Sequence, residues 1–316
     1  MAGYVMNMNI LVSNINRRGQ KDLSFEVRHK AYARPLATIL KKNTCRINKP
    51  MIRKITETEL PPILYKYRDW TNKFHRRLIS KQEIYFAKPS EFNDPFDGNI
   101  PIRWDLMTYE ECVDKNLELI NAVHKDKDQR QVREHARKIT KEKTLWHPDR
   151  LEKERPEQLA KWNSIIGLFS LSSIPDNILM WSHYSLNHSG FAVGFDTKSL
   201  ASDYDFEYIE PINYQTSYPI ISGLDDGTTQ FHKKFFHKSN LWSYEKEWRI
   251  SVNHIKKRII KLKTETIRQI IIGCCADAKR ISEITTLSRK KLGTDIEIFK
   301  ASKSENKFGL EIEKII

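Results

Sequence analysis

Short apolar runs of strand length alternate along the chain with polar stretches whose apolar residues recur at helical spacing. Ile63 to Tyr67, Glu83 to Ala87, Ile165 to Ser172 and Gly190 to Phe195 are rich in β-branched and aromatic residues and read as strands. Further strands are expected at 212–214, 247–252, 270–273 and 296–299, with helices at 70–80, 177–185, 230–241 and 277–291 between them. From Thr108 to about Trp162 the chain is strongly charged, and Leu117, Ile120 and Val123 recur at helical spacing. This stretch predicts two or three helices inserted into the main pattern, with a break near Pro148. Pro61-Pro62 marks a boundary, because tandem prolines favour extended linker geometry. The chain therefore divides into a basic N-terminal extension, 1–58, and a main domain, 59–316, with the helical insertion at 108–162. Mixed strands with segregated helices make the expected class α+β, built on a mixed or antiparallel β core.

Charge changes this picture more than composition does. Lys and Arg outnumber Asp and Glu 54 to 40, a formal net charge of +14, and the surplus is uneven. Residues 1–60 carry 12 basic against 4 acidic side chains, and residues 251–300 carry 12 against 5. A field of that sign attracts polyanions, so nucleic acid is an expected partner, although a solvated basic face would carry the same charge. No apolar run approaches the roughly 18 residues of a membrane span, and the N-terminus lacks the pattern of a secretory signal, so a cytoplasmic protein without a membrane partner is expected. Cys45 and Cys112 lie far apart and Cys274 and Cys275 are adjacent; no spacing predicts a disulfide framework, and buried reduced thiols are expected.

Four blocks combine aromatic and polar residues unusually densely. They are Leu64-Tyr-Lys-Tyr-Arg68, Glu91-Phe-Asn-Asp-Pro-Phe-Asp97, Leu179-Met-Trp-Ser-His-Tyr184 with Gly190-Phe-Ala-Val-Gly-Phe-Asp196, and Trp242-Ser-Tyr-Glu-Lys-Glu-Trp-Arg249. Their order and content, over roughly residues 62 to 300, resemble the bacterial family called domain of unknown function 2971. The layout also resembles ADP-ribosyltransferases, including toxins that modify nucleic acid. That second resemblance implies a core of the ADP-ribosyltransferase type and NAD as a consumed cofactor. A basic or polar residue on an early strand, either Arg68 or Tyr67 with Tyr65 beside it, would hold NAD. Trp181 and Tyr184 would supply the aromatic element, and the loop carrying Asn93 would cover the nucleotide. Glu247 would be the catalytic carboxylate, with Glu245 completing a Glu-x-Glu pattern. The Ser-Thr-Ser strand of that superfamily is not found in this chain. The resemblance further implies a toxin or anti-phage effector, with an antitoxin protein as a possible partner.

The residues support part of this chemistry independently. On a strand, side chains two apart face the same side, so Glu245 and Glu247 would point into one cleft. Cleaving the nicotinamide–ribose bond builds positive charge on the ribose, and a fixed carboxylate stabilises it. Arg68 suits a phosphate through its planar fork. The plain alternative is an exposed strand on which Glu245, Lys246, Glu247 and Arg249 form cross-strand ion pairs. Asn93 to Asp97 reads first as a stable Asx turn, with a nucleotide cover or a metal held by Asp94 and Asp97 as the functional alternatives, and His183 reads first as a packing residue. His183 with His188, and His232 with His237, are five apart, which does not align two metal ligands on one helix face, and no metal site is expected. Two rival functions stay open. One is a metal-dependent nuclease using Asp94, Asp97, Glu245, Glu247 and Lys246. The other is a non-enzymatic module that binds nucleic acid or a protein partner.

Overall fold

In the computed structural model, residues 60–123, 128–143 and 148–315 are described; the extension expected at 1–58 lies outside them. The strands that read as nearly continuous apolar runs do so because both of their faces are covered. β1 (Ile63–Arg68), β4 (Ile166–Ser172), β5 (Phe191–Asp196), β10 (Glu247–Asn253) and β12 (Ile267–Ile272) form the middle of an eight-stranded sheet. β13 (Glu297–Lys303) and β14 (Leu310–Lys314) complete one edge and β6 (Tyr208–Pro211) the other, in the order β14-β13-β12-β5-β1-β4-β10-β6. β12 and β13 run parallel, Gln269 opposite Glu297, and the remaining neighbours run antiparallel. The protein is thus an α+β molecule with a large mixed sheet.

Period-2 alternation sorts the side chains onto two faces. Leu64, Phe169, Leu171, Phe191, Val193, Phe195, Ile250, Ile270 and Ile272 face one way and pack against Ile79 of α1 (Arg77–Ser80), Leu200 of α6 (Thr197–Asp203) and Ile284 of α8 (Ala278–Leu292). On the opposite face, Tyr67, Ala192 and Ile271 meet Met180 and Trp181 of α5 (Ile178–Tyr184). Ile166 and Leu168 meet Trp162 of α4 (Pro148–Ile165) and Phe231 and Phe235 of α7 (Gly227–Phe235). Helices therefore cover both faces of the sheet and are not segregated as the strand pattern predicts. Before α4, the helices α2 (Tyr109–Val123) and α3 (Gln129–Lys143) pack through Val113, Val132 and Ala136.

Two expected helices are shorter than their polar periodicity suggests. Only Arg77–Ser80 of the stretch 70–80 is helical. The Asp69 carboxylate accepts from the Thr71 amide at 2.7 Å and the Asn72 side chain accepts from the Phe74 amide at 2.9 Å, and such local bonds compete with the helix ladder. The helix expected over 230–241 spans 227–235 instead, and the chain then extends into β9 (His237–Ser239), which pairs with β7 (Asn213–Gln215). The thiols differ from expectation too: Cys112 is buried, but Cys274 is only partly buried and Cys275 is exposed.

Between α5 and β5 the chain turns tightly through Leu186, Asn187 and His188, all left-handed at φ 52°, 50° and 65°. The turn closes at Gly190, where any Cβ would lie inside van der Waals contact with the carbonyl oxygens of Arg68 and Ser185. Both obstacles are backbone, so neither can swing away. Gly190→Ala is expected to lower the unfolding free energy by about 1–3 kcal/mol, the usual cost of overpacking, read as a drop in the urea midpoint at unchanged slope.

Candidate functional site

The central sheet is not continuous. β1 runs fully against β5, from Ile63 opposite Asp196 to Arg68 opposite Phe191, and β4 runs fully against β10, from Ile166 opposite Asn253 to Ser172 opposite Glu247. Between β1 and β4 the only register pair is Tyr65 with Ser172. Beyond that pair the strands part, and a cleft of about 340 Å³ opens where the sheet splits. That volume lies at the lower end of the roughly 300–1,000 Å³ range of ligand pockets. Its walls include Tyr65, Lys66, Tyr67 and Arg68 from β1, Ser170 and Ser172 from β4, and Phe92, Asn93 and Asp97 from the loop after β2 (Glu83–Tyr85). Tyr184, Lys238, Glu245 and Glu247 line it as well.

A network of charges forms one end of this cleft. The side chains of Asp97, Lys238, Glu245, Glu247 and Arg249 are each 5 % exposed or less. Arg249 projects from β10 and uses its whole fork. Nε and Nη2 donate to Glu247 Oε1 at 2.9 and 2.8 Å, Nη1 and Nη2 donate to the two Asp97 oxygens at 3.0 and 2.9 Å, and Nη1 also donates to the Phe235 carbonyl at 2.6 Å. Lys238 Nζ lies 2.6 Å from Glu245 Oε2, 3.2 Å from Glu247 Oε2 and 3.8 Å from Asp97 Oδ2. Aromatic rings cover both cations: Phe92 is centred 4.8 Å from the Arg249 guanidinium and Trp242 is centred 4.8 Å from the Lys238 nitrogen. The other oxygen of Glu245 accepts from Tyr184 Oη at 2.7 Å, and Asn93 Nδ2 donates to the same phenol oxygen at 3.2 Å.

The two glutamates lie in one cleft but differ in charge. Burial would raise the pKa of Glu247, but Arg249 and Lys238 outweigh it and hold the carboxyl at about 2. Burial raises the pKa of Glu245, and repulsion from ionised Glu247 adds to the effect against the pull of Lys238. Asp97 is likewise raised by burial, with Arg249 opposing. Environments that push two neighbouring carboxyls apart are the usual basis for dividing acid and base roles. Tyr184, raised by burial and by Glu245, keeps its proton.

The β1 side of the cleft carries positive charge without acidic ion-pair partners among the described residues. The Arg68 side chain makes one hydrogen bond among the described residues, a long 3.5 Å contact from Nη1 to the Tyr67 carbonyl, and burial lowers its pKa to about 10. Tyr65 Oη donates to Gln269 at 3.0 Å, and Tyr67 Oη donates to the Ile174 carbonyl at 2.6 Å. Tyr65, Tyr67, Arg68, Asn93, Tyr184, Glu245 and Glu247 are thus brought around one space.

Three expectations need correction. Trp181 is fully buried, donates to the Pro175 carbonyl at 2.8 Å and packs edge-on against Tyr67, so it supports the wall from behind and does not line the cleft. Glu245 is not on the strand: it ends a 3₁₀ turn, Asn240–Glu245, and Lys246 follows at φ 45° and ψ 47°. The two carboxylates converge because that left-handed residue reverses the chain, and Lys246 itself is exposed. The run is not an exposed strand of cross-strand ion pairs either, since Glu247 and Arg249 are buried. Asp94 is buried and accepts from the Phe96 amide at 2.9 Å, an Asx turn that shapes the loop. Lys66, Lys238 and Ser170 join the site without having been singled out. The signal for Lys238 was weak, one of three lysines in a stretch read as helix.

The comparisons bear on the second half of the site. Residues 180–250 match the model of a family described as "Protein of unknown function (DUF2971)". The matched span runs from α5 to the middle of β10 and holds Tyr184, Lys238, Glu245, Glu247 and Arg249, while β1 and the 92–97 loop lie outside it. No curated protein and no solved structure matches the chain. Among the described residues, no helix is long and apolar enough to cross a membrane, and no group of three or more His, Cys, Asp or Glu is arranged to hold a metal ion.

The network has two measurable consequences. Arg249→Met strands Asp97 and Glu247 without their main partner and should cost about 3–5 kcal/mol of stability, measured by urea unfolding at pH 7. Glu247 has its folded pKa below the ordinary 4.5, so its contribution is complete above pH 4.5 and is lost as pH falls toward 2. The gap in stability between the wild type and Glu247→Gln, roughly 3 kcal/mol at pH 7, should therefore narrow steadily between pH 5 and pH 3.

Proposed function

We propose that the cleft is the active site of an NAD-consuming, ADP-ribosyltransferase-like enzyme, a toxin or anti-phage effector whose acceptor is nucleic acid. The observation that carries this reading is the paired carboxylates, one held ionised and one with its pKa raised, at one end of a cleft whose other wall offers an arginine with no acidic partner among the described residues. When the bond between nicotinamide and ribose breaks, its electron pair leaves with the nicotinamide nitrogen and the ribose becomes an oxocarbenium ion. Three carboxylates against Lys238 and Arg249 leave one negative charge in the network when Glu245 is ionised, and Glu247 is the permanent anion among them. A fixed negative charge in a site of low dielectric favours that cation. The acceptor then attacks the ribose, and Glu245, hydrogen-bonded through Tyr184, takes the proton the acceptor loses.

Arg68 is suited to the diphosphate, because a half-buried guanidinium with one long hydrogen bond among the described residues gains charge-assisted bonds when an anion enters. Tyr65 and Tyr67, at the alternate positions of β1, add aromatic surface to the same cleft. The net charge of +14 favours a polyanionic acceptor. The nuclease reading is weaker on the same geometry. The carboxylate oxygens it would give to a metal already accept from Lys238 and Arg249, and Asp94 is engaged in its turn.

The test is transfer of label from radiolabelled NAD to RNA, DNA or lysate protein. Glu247→Gln, assayed well below its unfolding midpoint, should lose at least about 100-fold in rate, the scale of removing one electrostatic contact to a transition state. Full activity in folded Glu247→Gln would remove the assignment. Magnesium-dependent cleavage without NAD turnover would establish the nuclease, and salt-sensitive binding with neither reaction would leave a binding module.

A further inference from the structure

Two lysines line the same cleft in opposite electrostatic surroundings. Lys238 sits among three carboxylates, which raise its pKa against the effect of burial and keep it an ammonium. Lys66 has no ion-pair partner among the described residues, and its one hydrogen-bond acceptor there is the Ser170 carbonyl across the split. Its nitrogen lies 5.0 Å from the centre of the Phe169 ring. The cleft thus gives this nitrogen one protein acceptor and no counter-charge among the described residues, and as a neutral amine it keeps a lone pair for chemistry. Arg68 lies two residues further along β1, on the same side of the strand, and lines the same cavity.

The geometry points to Lys66 as a nucleophilic amine that condenses with the carbonyl group of a phosphorylated aldehyde or ketone, with Arg68 holding the phosphate. Burial, reinforced by the neighbouring Arg68 charge, pulls the Lys66 pKa well below the ordinary value, the combination that activates amine nucleophiles elsewhere. In the reaction the nitrogen lone pair attacks the carbonyl carbon, the carbonyl oxygen takes up protons and departs as water, and the nitrogen gives up its own protons. Amine and carbonyl compound thus become imine and water. This inference shares the Arg68 phosphate contact with the NAD reading and needs nothing else from it.

The experiment uses the full chain and pyridoxal 5′-phosphate as a phosphorylated aldehyde. After incubation at pH 7 the imine is reduced with borohydride, and the modified lysines are located by peptide mass spectrometry. Each tenfold increase in the neutral fraction corresponds to one unit of pKa, so Lys66 should carry the dominant adduct, at about tenfold or more the occupancy of the surface lysines. Pyridoxal without the phosphate should label Lys66 several-fold less, and folded Arg68→Gln should label equally with the two probes. Labelling spread over surface lysines with no excess at Lys66 would overturn the proposal. So would equal labelling of the wild type by pyridoxal and its phosphate. The probe is not NAD, so the two readings separate: a protein inert toward NAD but labelled at Lys66 retains this inference alone, and one that consumes NAD but leaves Lys66 unlabelled loses it alone.

Discussion

The guanidinium of Arg249 is the contact on which the candidate site is built. All five of its N–H donors are used: two on Asp97, two on Glu247 and one on the Phe235 carbonyl. Each acceptor belongs to a different part of the chain. Asp97 anchors the loop after β2, Glu247 begins β10, and Phe235 is the last residue of α7. A helix C-terminus carries unsatisfied carbonyls and partial negative charge, so a cation placed there is favoured. A lysine in this position could reach some of these acceptors but could not present a planar fork to them. Burying such a group costs several kcal/mol unless every donor is met, which couples the placement of three segments to one side chain.

That coupling explains why the chain leaves the helix after Phe235. Continuing α7 to residue 241 would satisfy its periodicity, but Lys238 would then not extend toward Glu245, Glu247 and Asp97. The strand His237–Ser239 presents Lys238 to all three acids, and the following 3₁₀ turn with left-handed Lys246 returns Glu245 to the same point. A left-handed residue that is not glycine costs on the order of 1 kcal/mol. Against this stand the charge-assisted bonds of a buried network, each worth about 1.5–3 kcal/mol. Local preference yields because the bonds of the network outweigh the strain of one residue.

This balance sets what could be read from the residues alone. The strands of the middle sheet were legible because burial on both faces leaves apolar runs such as Phe191 to Phe195 and Ile270 to Ile272. The aromatic-rich blocks pointed to Tyr65, Tyr67, Arg68, Tyr184, Glu245 and Glu247, residues that all reach one cleft. What stayed hidden depends on contacts distant in sequence. Arg249 and Asp97 are 152 positions apart, and nothing local distinguishes that bidentate pair from a surface arginine and a turn aspartate. Trp181 looked like a ligand-stacking residue because composition cannot tell an aromatic wall from its backing. The gap between β1 and β4 has no local signature at all, since each strand is well formed against its other neighbour.

A sheet that splits creates a problem in its own interior, because edges of β1 and β4 that would have paired face each other across open space. The chain meets this with polar side chains instead of a ladder. Lys66 spans the gap to the Ser170 carbonyl, and the Ser172 hydroxyl donates to the Glu245 carbonyl at 2.7 Å, joining the last residue of β4 to the turn that carries the acid. The groups that repair the split are therefore the groups that line it, together with the carboxylates and the uncommitted arginine. An apolar repair would have closed the sheet and stabilised the fold at the expense of the cavity. Retaining a lysine, two serines and a charge network there keeps the cleft open and polar inside a largely apolar layer. The site and the defect in the sheet are in this sense one feature, and a change that seals one removes the other.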